Sequence, residues 1–128
     1  MGNRASRLHI LVVDDSSLLR VMLEQVCSKE HDVSEAASLG AAWRAYQEKK
    51  PDIVFTDISL PDGSGHELAR RIKEQNPSAF VVMMTGSSRM EDKEDARQNK
   101  VDGYLVKPIS KNDIMSFVER YKATRSSG

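Results

Sequence analysis

Two adjacent acids, a third acid, a hydroxyl and an ammonium each stand directly behind a short apolar run. Asp14 and Asp15 follow Ile10-Leu11-Val12-Val13, and Asp57 follows Ile53-Val54-Phe55-Thr56. Thr85 follows Phe80-Val81-Val82-Met83-Met84, and Lys107 follows Tyr104-Leu105-Val106. Gathered at one point, these groups have a definite chemistry. Two carboxylates about 4 Å apart repel by about 4 kcal/mol at an effective dielectric of 20. Three acids together would take up much of a typical stability of about 5–15 kcal/mol. Relief must come from a cation, a proton or a neighbouring lysine. Hard oxygen ligands without His or Cys favour Mg²⁺ over zinc, with water completing the octahedron. A carboxylate, a divalent cation, a hydroxyl and an ammonium are the parts needed to receive a phosphoryl group. The carboxylate attacks, the cations spread the charge on the transferring oxygens, and the product is an aspartyl phosphate.

That chemistry depends on the elements bringing the residues together. Short continuous apolar runs alternating with helical patterns read as parallel strands buried on both faces. In such a sheet every strand points the same way, so these residues emerge at one edge, where open α/β sheets bind ligands. The first strand is expected from about Leu8 to Val13, and a weakly apolar edge strand near Asp32 to Ala37. Leu18, Leu19, Met22, Leu23 and Val26 form the predicted inner face of a first helix. Leu39, Ala42, Trp43 and Tyr46 do so for a second, stopped by Pro51. Leu60 to Gly65 reads as a loop, with Pro61, Asp62 and Gly63 as turn formers. Ser64 with Glu67 opens a third helix that turns Leu68 and Ile72 inward, and Ser88 with Glu91 opens a fourth over about 88–98. Only Met90 and Ala96 anchor that fourth helix, which places it at the less stable end of the fold. A fifth helix carries Ile114, Phe117, Val118 and Tyr121.

Composition narrows the classes. The chain has 128 residues, room for one domain, expected over 8–122 with flexible termini at 1–7 and 123–128. Lys plus Arg and Asp plus Glu number 19 each, so bulk charge gives no case for direct nucleic-acid or anionic-membrane binding. No apolar run approaches the roughly 20 residues of a membrane helix. Cys27 is alone, which excludes an internal disulfide and suits a reducing cytoplasm; its place in an apolar stripe reads as buried packing. His9, His31 and His66 are scattered, and no GxxxxGK or GxGxxG loop is present.

Singly, each chemical residue has a plain structural reading. Asp14, Asp15 and Thr85 would serve as helix caps, Asp57 as a turn former, Lys107 as a solvated charge. As a set they resemble the receiver domain of two-component response regulators. The resemblance rests on Asp14-Asp15, Asp57, Leu60-Pro61 with Gly65, Thr85 and Lys107-Pro108, and runs from about Leu8 to Lys122. It implies a flavodoxin-like fold: one doubly wound five-stranded parallel sheet, order 2-1-3-4-5, with five helices. It also implies that Asp57 accepts the phosphoryl group, and that Asp14, Asp15, Asp57 and the Ser59 backbone carbonyl hold Mg²⁺. Thr85 and Lys107 would bind phosphoryl oxygens, the Lys107-Pro108 bond would be cis, and Tyr104 would act as the switch aromatic, its plainer reading being a half-buried strand residue. Ser59 and Ser87 would flank the site and influence phosphoryl lifetime.

The expected partners are a sensor histidine kinase or histidine phosphotransfer protein upstream and a downstream protein or output domain, with a phosphorylation-dependent dimer left open. Phosphorylation would remodel the face built from the fourth helix, fifth strand and fifth helix. Such a protein catalyses its own modification and turns over no separate metabolite. A flavodoxin-type binder would want glycines and hydroxyls after the first strand, where two acids stand instead. A haloacid-dehalogenase-type phosphatase would want acids separated by one residue, and a cap. A phosphorylation-independent interaction module would have no need of the intact set.

Overall fold

A computed structural model of the chain describes residues 7–86 and 100–126. In order, the elements are β1 (His9–Val13), α1 (Ser17–Cys27), β2 (Asp32–Ala36), α2 (Leu39–Lys49) and β3 (Ile53–Asp57). A short antiparallel hairpin follows, β4 (Ser59–Leu60) and β5 (Gly63–Ser64), then α3 (Gly65–Gln75), β6 (Phe80–Thr85), β7 (Gly103–Val106) and a last helix, α4 (Lys111–Ser126). The large sheet has the order β2-β1-β3-β6-β7, every pair parallel. Counted along the chain, its five strands lie 2-1-3-4-5, as expected. Four helices lie among the described residues; the fourth predicted helix, its Ser88–Glu91 cap and Ser87 fall outside them.

Alternation along each strand builds two cores. Ile10, Val12, Ile53, Phe55, Val82 and Met84 face α1 and α4. Leu11, Val13, Val54, Val81 and Met83 face α2 and α3. All of these side chains are fully or almost fully buried, each worth about 1.5–3 kcal/mol against exposure. Covering both faces explains why the strand sequences are continuously apolar. Cys27 is buried as predicted, and burial, chiefly, pushes its thiol up to about 11.

Helix starts follow local chemistry. Ser16, Ser38 and Ser64 each cap a helix, their hydroxyls accepting from Leu19, Ala41 and Glu67 N–H. Such a cap is worth about 1 kcal/mol. Lys50 closes α2 in a left-handed conformation (φ 47°), immediately before Pro51.

The inner face of α1 differs from its prediction. Leu19, Leu23, Val26 and Cys27 form the seam against the sheet, whereas Leu18 is 80% exposed and Met22 36%. With Val21, 48% exposed, those two make an uncovered apolar strip. An amphipathic stripe wider than the available contact has one edge left in solvent, and packing alone decides which. At the other end of the chain, α4 continues through Ser126, past Tyr121, the last residue of its apolar stripe. No helix among the described residues is long and apolar enough to cross a membrane.

Candidate functional site

Strand register brings the chemical residues together step by step. The last β1–β3 pair is Val13 with Thr56, so Asp14 and Asp57 come next on neighbouring strands. Asp57 pairs with Met84 on β6, so Thr85 stands one step beyond. Thr85 in turn pairs with Val106, and the following residue is Lys107, whose N–H donates to the Thr85 carbonyl (2.6 Å). The carboxylates of Asp14, Asp15 and Asp57 each place an oxygen within 4.8 Å of the others. Asp14 is fully buried and Asp57 is 8% exposed, whereas Asp15 faces solvent.

Lys107 bridges two of these three acids. Its Nζ lies 2.8 Å from Asp14 Oδ2 and 3.3 Å from Asp57 Oδ2. The other Asp14 oxygen accepts from Ser16 N–H (2.8 Å), and Asp57 Oδ1 takes a longer bond from Ser59 N–H (3.4 Å). Burial, and then the Asp14 charge, push the Asp57 carboxyl up from its ordinary value; Lys107 and the Ser59 amide pull only partly against them. Burial would lower the Lys107 ammonium, but Asp14 and Asp57 outweigh it and its pKa is raised. Both shifts run in the direction that lessens the net negative charge of the cluster.

Three ionised carboxylates and one ammonium leave a deficit of two charges. Clustered oxygen ligands carrying that deficit suit a single divalent cation, and Mg²⁺ in particular tolerates a site completed by water. The residues therefore fit the metal that the sequence implied. Asp14, Asp15 and Asp57 converge, and Ser59 is tied to Asp57 through its amide. Thr85 is buried at the same sheet edge. Lys107-Pro108 is cis, as expected. Tyr104 pairs with Met83 and is half-buried on the α2–α3 side of the sheet, three residues before Lys107.

Sequence reasoning missed the fasteners around this cluster. Arg20, on the first turn of α1, donates from Nη1 to the Asp14 carbonyl (2.7 Å) and from Nε to Glu35 on β2 (3.2 Å). Gly65 leaves no room for a side chain: a Cβ there would sit 2.1 Å from the Asp57 carbonyl oxygen. Its N–H donates to Ile58 carbonyl (2.7 Å), and Ile58 N–H donates to Met84 carbonyl (3.0 Å). Only the glycine immediately after a capping serine hinted at this close approach.

The comparisons with known proteins agree with this geometry. Residues 10–119 match the family described as the response regulator receiver domain. A chemotaxis protein CheY of Halobacterium salinarum is 33% identical over 110 residues, covering 85% of this chain and 92% of that protein. The DNA-binding transcriptional regulator NtrC of Proteus hauseri is 32% identical over 88% of this chain but only 24% of its own length. The crystal structure of a CheY-like receiver domain protein from Methanospirillum hungatei superimposes with a TM-score of 0.89. It covers 95% of this chain and 99% of that one at 24% identity, a likeness of fold.

Proposed function

The chain belongs to the response regulator receiver domain family, and from that premise we propose that it is a Mg²⁺-dependent phosphoryl-accepting switch with Asp57 as the acceptor. The observation that carries this reading is Lys107 bridging Asp14 and Asp57 inside a cluster still two positive charges short.

The Asp57 carboxylate attacks the phosphorus of a phosphorylated imidazole. A P–O bond forms, the P–N bond breaks, and the imidazole leaves with its electron pair and takes up a proton. Asp14, Asp15, Asp57 and the Ser59 carbonyl would hold Mg²⁺, which would supply charge neutralisation on the transferring oxygens when bound. Lys107 gives up its bridge to pair with a phosphoryl oxygen, and the Thr85 hydroxyl donates to another. Because Thr85 ends β6 and Lys107 directly follows its neighbour β7, which carries Tyr104, their movement is passed to the face formed by the predicted fourth helix, β7 and α4. The protein catalyses only its own modification, with Ser59 and Ser87 influencing how long the group survives.

The donor in this reading is a sensor histidine kinase or a histidine phosphotransfer protein, and a cytoplasmic setting fits that role. The uncovered strip of Leu18, Val21 and Met22 supports a docking partner on α1, since Leu18 lies three residues from Asp15. Downstream, a separate protein or an output domain reads the altered face.

Intact mass after incubation with acetyl phosphate and Mg²⁺ tests the reading, beside Asp57→Asn and a chelated control. One added phosphoryl group, absent from both controls, is expected. No adduct, together with no binding of beryllofluoride and Mg²⁺, would overturn it in favour of a phosphorylation-independent interaction module.

A further inference from the structure

The segment after Asp57 leaves the sheet edge and returns to α3 through the two-residue turn Pro61-Asp62 between β4 and β5. Its start is fastened to β6 by the Ile58 amide, and its end by the Gly65 N–H donating to the Ile58 carbonyl, where the missing side chain lets α3 lie close against the Asp57 carbonyl. The tip is fastened as well, to a different helix. Asp62 Oδ1 accepts from Leu39 N–H (2.6 Å) and Oδ2 from Gly40 N–H (3.0 Å), the first two amides of α2. Those amides have no partner within the helix itself, and Ser38 caps only the next one, Ala41. The backbone nests where the carboxylate reaches. A Cβ at Gly63 would meet Leu39 Cδ2 at 2.6 Å, so the turn lies directly against the Leu39 side chain.

We propose that Asp62 is a positioning residue for the acid cluster, clamping the Ile58–Gly65 segment to α2 so that Ser59 is held in place for the divalent cation. This rests on reading Asp14, Asp15 and Asp57 as a Mg²⁺ site. Asp62 touches none of the reacting groups; it acts through the loop that carries Ser59. A plain helix cap would stabilise α2 and leave metal affinity alone, and Ser38 supplies that comparison, because it caps the same helix without touching the loop.

The test is calorimetric titration of the wild-type chain, Asp62→Ala, Asp62→Asn and Ser38→Ala with MgCl₂, each beside its thermal midpoint. Both alanine variants lower the midpoint. Asp62→Ala weakens Mg²⁺ binding by about tenfold, the size usual for outer-shell orienting groups, and Asp62→Asn, which keeps one acceptor oxygen, falls between. Ser38→Ala leaves affinity unchanged. Equal shifts in both alanine variants, or none in either, overturn the proposal. Absence of Mg²⁺ binding by the wild-type chain overturns the acid-cluster reading and this proposal with it, whereas binding indifferent to Asp62 overturns this proposal alone. A variant-free check uses reciprocity: Mg²⁺ should slow hydrogen exchange at the Leu39 and Gly40 amides of the wild type. Unchanged exchange there overturns the clamp.

Discussion

Gly65→Ala sets two physical effects against each other, and the structure decides which wins. Gly65 opens α3 with an ordinary negative φ, so alanine there should stabilise the protein by about 0.4–1 kcal/mol if space allowed. Space does not allow it. The new Cβ would stand 2.1 Å from the Asp57 carbonyl oxygen, 3.0 Å from its carbon and 3.2 Å from Ile58 Cα. A carbon and an oxygen in close contact sit roughly 3.3 Å apart, so about 1.2 Å must be found. No side chain can swing aside, because the obstacle is the main chain of a buried strand end. The first turn of α3 must move instead, loosening Leu68, Ala69 and Ile72, all fully buried. Overpacking of this kind costs about 1–3 kcal/mol, and the upper end applies when both sides are backbone. Less the propensity gain, the expected net loss is about 2 kcal/mol, close to a 1 M fall in urea midpoint. Gly40→Ala is the matched control, since its Cβ meets only Asp62 Oδ2 at 3.5 Å and Arg44 Nη1 at 3.9 Å. That variant should be neutral or slightly stabilised. A Gly65→Ala midpoint at or above wild type would refute the steric reasoning.

Gly103→Ala should cost less than Gly65→Ala, about 1–2 kcal/mol by urea titration, because the atoms it strikes belong to the tip of the Phe117 ring, which can pivot. Mg²⁺ should raise the thermal midpoint of the wild type, adding about 1.4 kcal/mol per tenfold excess over its Kd; Asp14→Ala should lose that response. Lys107→Met should bind Mg²⁺ more tightly, on the order of tenfold by calorimetry, because it removes a competing ammonium, yet accept phosphoryl groups more slowly; weaker Mg²⁺ binding would contradict the bridging role. His31 is buried, its Nδ1 accepts from Leu8 N–H (3.1 Å), and burial, then Lys122 and Arg7, hold its pKa below the ordinary 6.5 against Glu30 and Glu119. The neutral ring therefore stabilises the fold fully above pH 6.5. That contribution is lost as pH falls from there toward the folded value, at no more than about 1.4 kcal/mol per pH unit; urea titrations over that range should find the slope flattened in His31→Asn.

Much of the fold was legible because strands buried on both faces leave a signal that needs no partner to read. Ile10 to Val13, Ile53 to Phe55 and Phe80 to Met84 are apolar at every position for that reason. The α1 face was less legible. Leu18 and Met22 lie on the same broad stripe as Leu19 and Leu23, and no local rule says which edge the sheet will cover. The β4–β5 hairpin has two residues per strand, too few for any period. His31 seemed uninformative because a buried imidazole that accepts a main-chain N–H leaves no pattern around it.

The chemical residues were visible because a parallel sheet delivers its strand ends to one edge, and their types restrict what that edge can do. How the edge is held together was not visible. Three carboxylates repel and one lysine answers them only in part, so the main chain beneath must resist spreading. Arg20 grips the Asp14 carbonyl, Gly65 admits α3 against the Asp57 carbonyl, and Asp62 ties the intervening loop to α2. Asp62 joins residues remote in sequence, Gly65 depends on an atom's absence, and Arg20 reaches back six residues across the turn from β1 to α1; none of these leaves a periodic trace. A site that repels itself needs such anchoring in the unliganded state. The same anchoring means that a cation relieving the repulsion should tighten α2 and α3 along with the acids.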